Sequence, residues 1–170
     1  LEASDGYAAC FAARLPSEKC TVDVGCRWDL MENGLVFKQY PCCSGTHPAL
    51  DVWGEWADKV HPKLDDIEAV HLGVSLLGPR ELISHCPRNA VEAKFSMEFA
   101  LASRLVYQRA GIEEFTDDKV LDVRIQALMK KMTMEIDPDL AKLGFIGTAP
   151  VRIRIKTKSG VVCLANDLAK

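Results

Sequence analysis

The sequence predicts an α+β fold: a largely antiparallel sheet with helices packed on one face. Strand-like segments near the C-terminus pair as a hairpin, and segments with helical spacing come in a block before it. No glycine-rich phosphate loop follows a strand-like segment, which disfavours a parallel βαβ nucleotide fold. The 170 residues suit one domain, expected over 1–170, and a chain near that size buries roughly 70% of its unfolded surface.

Residues 5–14 are alanine-rich and predict a short helix with Asp5 near its start, followed by a loop over 16–26. Residues 27–30 and 35–39 flank Glu32-Asn33-Gly34, a hairpin signal; the second arm brings Lys38 and Tyr40 to a strand end, where Pro41 stops the ladder. Residues 46–61 predict a helix, with Thr46 as cap and Pro48 in the first turn, where a missing N–H costs nothing. Its core stripe is Ala49, Leu50, Trp53, Trp56, Ala57 and Val60, and Pro62 ends it. Residues 67–77 predict a strand broken by Gly78-Pro79.

A loop over 84–90, with Asn89 as a cap, leads to the longest expected helix, 91–109. Val91, Phe95, Phe99, Ala102 and Val106 form its apolar face, and Ala110-Gly111 closes it. A further helix is expected over 116–132, with Val120, Val123, Ala127 and Leu128 inward. A short strand at 134–136 then ends at Asp137-Pro138, and 138–149 is loop-like. Residues 151–157 alternate as a half-buried strand with a basic outer face. Lys158 to Gly160 turns the chain, and 161–165 pairs back.

Composition removes several function classes. Hydrophobic residues make up 48% and charged residues 26%, values of an ordinary globular chain rather than a disordered one. The net charge of −3 with no Lys/Arg block disfavours nucleic acid, and no apolar stretch reaches the length of a membrane span. No signal peptide is visible, and a chain starting at Leu1 predicts a piece of a longer protein. The seven cysteines are odd in number, with no Cys-x-x-Cys pair, and the four histidines are scattered. That pattern predicts reduced, mostly buried thiols in the cytoplasm and no metal site.

Two long runs carry a family resemblance. Lys38-Gln-Tyr-Pro-Cys-Cys-Ser-Gly-Thr-His-Pro-Ala-Leu-Asp51 and Val91-Glu-Ala-Lys-Phe-Ser-Met-Glu-Phe-Ala-Leu-Ala102 resemble, in order, two stretches of the MmgE/PrpD family, the 2-methylcitrate dehydratase-like enzymes. Residues 151–160 are similar to a third, and Leu1 to Tyr7 weakly echoes a fourth. The resemblance maps the chain to the family's smaller, C-terminal α+β domain. It implies that an N-terminal helical domain and a C-terminal tail are absent here, and that the full-length protein is a homodimer.

The family's activities include dehydration of 2-methylcitrate, decarboxylation of cis-aconitate and epimerisation of iminodisuccinate. The implied function is therefore a metal-independent, cofactor-free lyase or isomerase acting on a small polycarboxylate, with the site between the two domains and the isolated chain inactive. Proton loss beside a carboxylate builds negative charge that a fixed cation must meet, with an acid or base in reach. Lys38 and His47 are the expected catalytic residues; Lys38, Tyr40, Cys43, His47 and Lys94 are the expected substrate-binding set. The N–H groups at the helix start beside His47 could also hold a carboxylate.

Each residue has a plainer reading. Lys38 is a solvated lysine, His47 holds the loop, Tyr40 packs, Cys43 lines a pocket, and Lys94 pairs with Glu98 four residues on. Cys43 stands where the decarboxylase branch has histidine, which counts against decarboxylation. Phe99 replaces the usual tyrosine, which leaves the reaction open. His71, His85, Arg152 and Arg154 have no motif behind them and read as surface or structural. A stand-alone, non-catalytic ligand-binding module is the alternative from another class, and a redox role for Cys42 and Cys43 is the weakest.

Overall fold

The computed structural model describes residues 25–35, 37–143 and 149–166. The expected helix at 5–14, most of the loop at 16–26 and the glycines at 144 and 147 lie outside them. The chain divides into two compact units, Leu1–Phe37 and Lys38–Lys170.

In the first unit, Asp29–Asn33 forms one helical turn, α1, where a hairpin was expected. Gly34 ends it with φ 69°, its N–H donating to the Leu30 carbonyl. Asn-Gly marks a chain reversal that needs positive φ, and a helix end uses that conformation as readily as a hairpin turn does. Lys38 and Tyr40 therefore leave from irregular chain and not from a strand.

The second unit holds a four-stranded sheet in the order β2-β1-β3-β4. Its strands are β1 (Ile67–Val74), β2 (Met132–Ile136), β3 (Val151–Thr157) and β4 (Gly160–Asn166). β3 pairs antiparallel with β1 and β4, and β1 pairs parallel with β2. The parallel pair follows from the long helical connection between those two strands, which cannot close as a hairpin. β1 stops at Val74, three residues earlier than expected, because Gly78 brings the next turn against it. A Cβ on Gly78 would lie 2.6 Å from Val74 Cγ2.

Alternation along β3 buries Val151, Ile153 and Ile155 and exposes Arg152, Arg154 and Lys156. The exposed cations are partly matched: Arg152 meets Asp137 and Asp139 at 3.3 Å, and Lys156 meets Glu68 at 2.9 Å. The helix α2 (His47–Val60) packs on β3 and β4. It buries Ala49, Leu50, Trp53, Trp56 and Ala57 as its spacing predicts. Val60 is exposed, since the helix ends there with His61 left-handed at φ 49°.

Two helices are shorter than their apolar spacing suggests. After α3 (Gly78–Glu81), the expected helix over 91–109 is α4 (Ala90–Ala93) and α5 (Met97–Val106). Asn89 caps α4 as expected, but Ser96 starts a new helix, its hydroxyl accepting the Phe99 N–H at 3.1 Å. Val91 and Phe95 are consequently exposed, while Phe99 and Ala102 are fully buried. Similarly, the expected helix over 116–132 is α6 (Asp117–Val120) and α7 (Val123–Met129), restarted by the Asp122 carboxylate on the Arg124 N–H. The restart rotates the inward face to Ile125, Leu128 and Met129; Val123 and Ala127 point outward. In both cases a local cap overrode the longer-range periodicity. A last turn, α8 (Pro138–Ala141), follows β2.

If Ser96 defines the break, Ser96→Ala should cost about 1–2 kcal/mol, the usual worth of such a cap. Ser96→Thr should keep most of it. Urea unfolding of the two variants measures the difference.

Candidate functional site

The break between α4 and α5 frees two carbonyls, and both are used. The Lys94 carbonyl accepts the Cys43 N–H at 2.8 Å, and the Phe95 carbonyl accepts the Ser84 N–H at 3.1 Å. The two family-like runs are thus joined through backbone. What Lys94 gives to the first run is its carbonyl; its side chain is exposed. The expected Lys94–Glu98 pair does not form. Glu98, 3% exposed, holds His85 Nδ1 at 2.8 Å and accepts from the Ser96 hydroxyl at 3.4 Å. That pair borders a separate hollow of about 420 Å3.

From Cys43 the chain enters a single 3-10 turn, Ser44–Thr46, and runs straight into α2. Every residue from Gly45 to Leu50 is buried, so the helix start is shut away from water. Thr46 does not cap it; its hydroxyl donates back to the Cys43 carbonyl at 2.8 Å and lies 2.9 Å from Cys42 Sγ. The His47 N–H bonds the Ser44 carbonyl, and Pro48 has none to offer.

Lys38 is exposed, its Nζ donating to the Cys42 carbonyl at 3.2 Å. The Tyr40 hydroxyl donates to Asp51 Oδ1 at 2.9 Å, and its ring meets that of His47 edge-on, centroids 5.1 Å apart. His47 is 3% exposed, and its Nε2 is buried with no partner, as is Asp51 Oδ2. The Cys43 thiol faces Glu81 Oε2 at 3.7 Å. Lys38, Tyr40, Cys43 and His47 therefore share one junction, joined by Asp51 and Glu81, which sequence reasoning gave no role, and by Thr46, expected only as a helix cap. For Asp51 the signal was present: it lies four residues after His47 on a helix, hence on the same flank.

Burial sets the charge state of this junction. It pushes Tyr40 up to about 12, with the Asp51 bond adding to the effect. It pushes Cys42 up to about 11, against the pull of the Thr46 hydroxyl, and raises Cys43 as well. It lowers His47, opposed by the Cys42 carbonyl and aided by the charge on Lys38. All four are neutral at pH 7. Among the described residues no group of three or more His, Cys, Asp or Glu could hold a metal ion, and no helix is long and apolar enough to cross a membrane.

An open-faced α+β domain whose polar chemistry is gathered at one loop-to-helix junction is the class that fold and site define. The family model for the MmgE/PrpD C-terminal domain matches residues 40–166, and the chain belongs to that family. No curated protein matches it.

At pH 8, iodoacetamide should alkylate the exposed Cys86 and Cys163 well before Cys42, which is buried and mostly thiol at that pH. Peptide mapping over time reads the order directly.

Proposed function

We propose that this chain is the smaller domain of a polycarboxylate lyase or isomerase resembling 2-methylcitrate dehydratase, working in the cytoplasm. The observation that carries the reading is Lys38: an exposed amine set over a buried junction whose phenol, thiols and imidazole, those of Tyr40, Cys42, Cys43 and His47, are held neutral. A carboxylate arriving there meets a cation and no competing thiolate or phenolate.

In the proposed reaction, the carbon beside a substrate carboxylate loses a proton, and the hydroxyl on the next carbon leaves as water. Lys38 stabilises the charge that develops on the carboxylate. His47 is the acid–base group; its Nε2 has no partner, so it can exchange a proton with a group brought to it. Its burial requires the 38–43 segment to shift when that happens. Cys43 and Tyr40 shape the wall, and Lys94 adds an outer cation. Cys43 in place of histidine argues against decarboxylation, and epimerisation of an iminodisuccinate-like substrate is the runner-up.

The rest of the site belongs to an N-terminal helical domain in a longer, homodimeric protein. Supporting this, Ile83, Val91 and Phe95 are exposed near the Lys94 junction, apolar surface that a covering domain would bury.

Methylcitrate, citrate, aconitate and iminodisuccinate should be offered both to this chain and to a protein carrying the helical domain as well. The chain alone should turn over none of them. In the longer protein, Lys38→Ala should reduce turnover of the accepted substrate by about a hundredfold or more. Unchanged turnover would remove Lys38 from the mechanism, and dehydration by the chain alone would sink the two-domain site.

A further inference from the structure

Tyr40 is held from two sides by one helix. Its hydroxyl donates to Asp51 at 2.9 Å, and its ring packs edge-on against His47, 5.1 Å between centroids. His47 and Asp51 are four residues apart on α2 and so lie on one flank, one turn from each other. Two residues before Tyr40 stands Lys38; three residues after it, Cys43 is fixed to the Lys94 carbonyl. Lys38 itself bonds the Cys42 carbonyl, inside the stretch between those anchors.

We infer that Asp51 is a positioning residue, which locks Tyr40 against His47 and thereby fixes the segment from which Lys38 projects. The inference rests on the reading of Lys38 as the anion-binding group. Asp51 keeps a second oxygen, Oδ2, buried and unpartnered, which makes it a poor choice for packing alone; an apolar side chain would fill that space without desolvating a carboxylate. The charged and titratable groups acting on Tyr40 are Asp51, Arg104 and Cys42, and those acting on His47 are Lys38 and Asp51. Asp51 is the one that faces both.

Coulomb's law and positioning predict opposite signs. Removing a negative charge from the neighbourhood of Lys38 should tighten anion binding; releasing Tyr40 should loosen it. Citrate binding to this 170-residue chain is therefore measured by calorimetry for the wild type, Asp51→Ala, Tyr40→Phe and the double variant, each checked for folding by circular dichroism. Each single change should weaken citrate binding by about tenfold, and the double change should weaken it no further, because both remove one hydrogen bond. Unchanged or tighter binding in Asp51→Ala, or additive losses, would overturn the role. Tyr40→Phe keeps the ring and serves if Asp51→Ala does not fold.

The rate of Cys42 alkylation provides a second reading that needs no ligand. Cys42 is buried in the same segment and should react about tenfold faster in both single variants. If the wild type binds no citrate, the Lys38 reading fails while this rate still decides the positioning role. An unchanged rate overturns it.

Discussion

A helix that begins inside a protein must provide for its own polar groups, and in this domain that constraint shapes everything around α2. Gly45 to Leu50 are all buried, and the helix carries Trp53 and Leu50 into the core against β3 and β4. Water cannot reach its first N–H groups, so the chain supplies partners from within. The 3-10 turn gives a carbonyl to the His47 N–H, Pro48 removes a donor, and Thr46 turns its hydroxyl back onto Cys43. Of the helix-start donors, the His47 N–H is thus committed and Pro48 offers none. The polar groups that remain at this junction are side chains: Lys38 outside, with His47 and Asp51 inside.

The second constraint is the break between α4 and α5. An unbroken helix over that stretch would use the Lys94 and Phe95 carbonyls internally. Because Ser96 restarts the helix, they instead accept the Cys43 and Ser84 N–H groups. Cys43 is thereby pinned to a second part of the domain while Tyr40 is pinned to α2, and Pro41 and Cys42, whose carbonyl holds the Lys38 amine, lie between these fixed points. A feature that looks like a defect in a long helix is what gives the lysine-bearing segment its place.

How much of this was legible depended on whether the signal was local. The β3–β4 hairpin could be read because alternation with one face buried admits a single register. Helix α2 could be read because Pro48 and the tryptophan stripe agree. The failures came where two local signals competed. Asn33-Gly34 suits both a hairpin turn and a helix end, and only tertiary context chooses. Ser96 and Asp122 are strong caps inside stretches whose apolar spacing runs on, and the caps won. For the candidate site, the sequence named Lys38, Tyr40, Cys43 and His47 as a run, and the structure places them together. It could not show that the Tyr40 hydroxyl is committed to Asp51, or that Glu98 is sunk beside His85, because those partners are 11 and 13 residues away in the chain.

The neutral state of the junction also has a pH range, and it follows from signs alone. The folded thiol of Cys42 is raised from 9.0 and the phenol of Tyr40 from 10.0, so what they contribute to stability is complete below those values. It is lost as pH climbs through about 11 and about 12. His47 is lowered from 6.5, so its contribution is complete above that value and is lost as pH falls through the folded one. The junction is thus most stable between about pH 6.5 and 9, where all four groups are neutral. Within that range the exposed lysine is the only cation of the run from Lys38 to Asp51. An anion drawn to this junction therefore finds one exposed positive group, with the Asp51 carboxylate committed to the Tyr40 hydroxyl, and the rigidity of the segment beneath that lysine decides how well it is met.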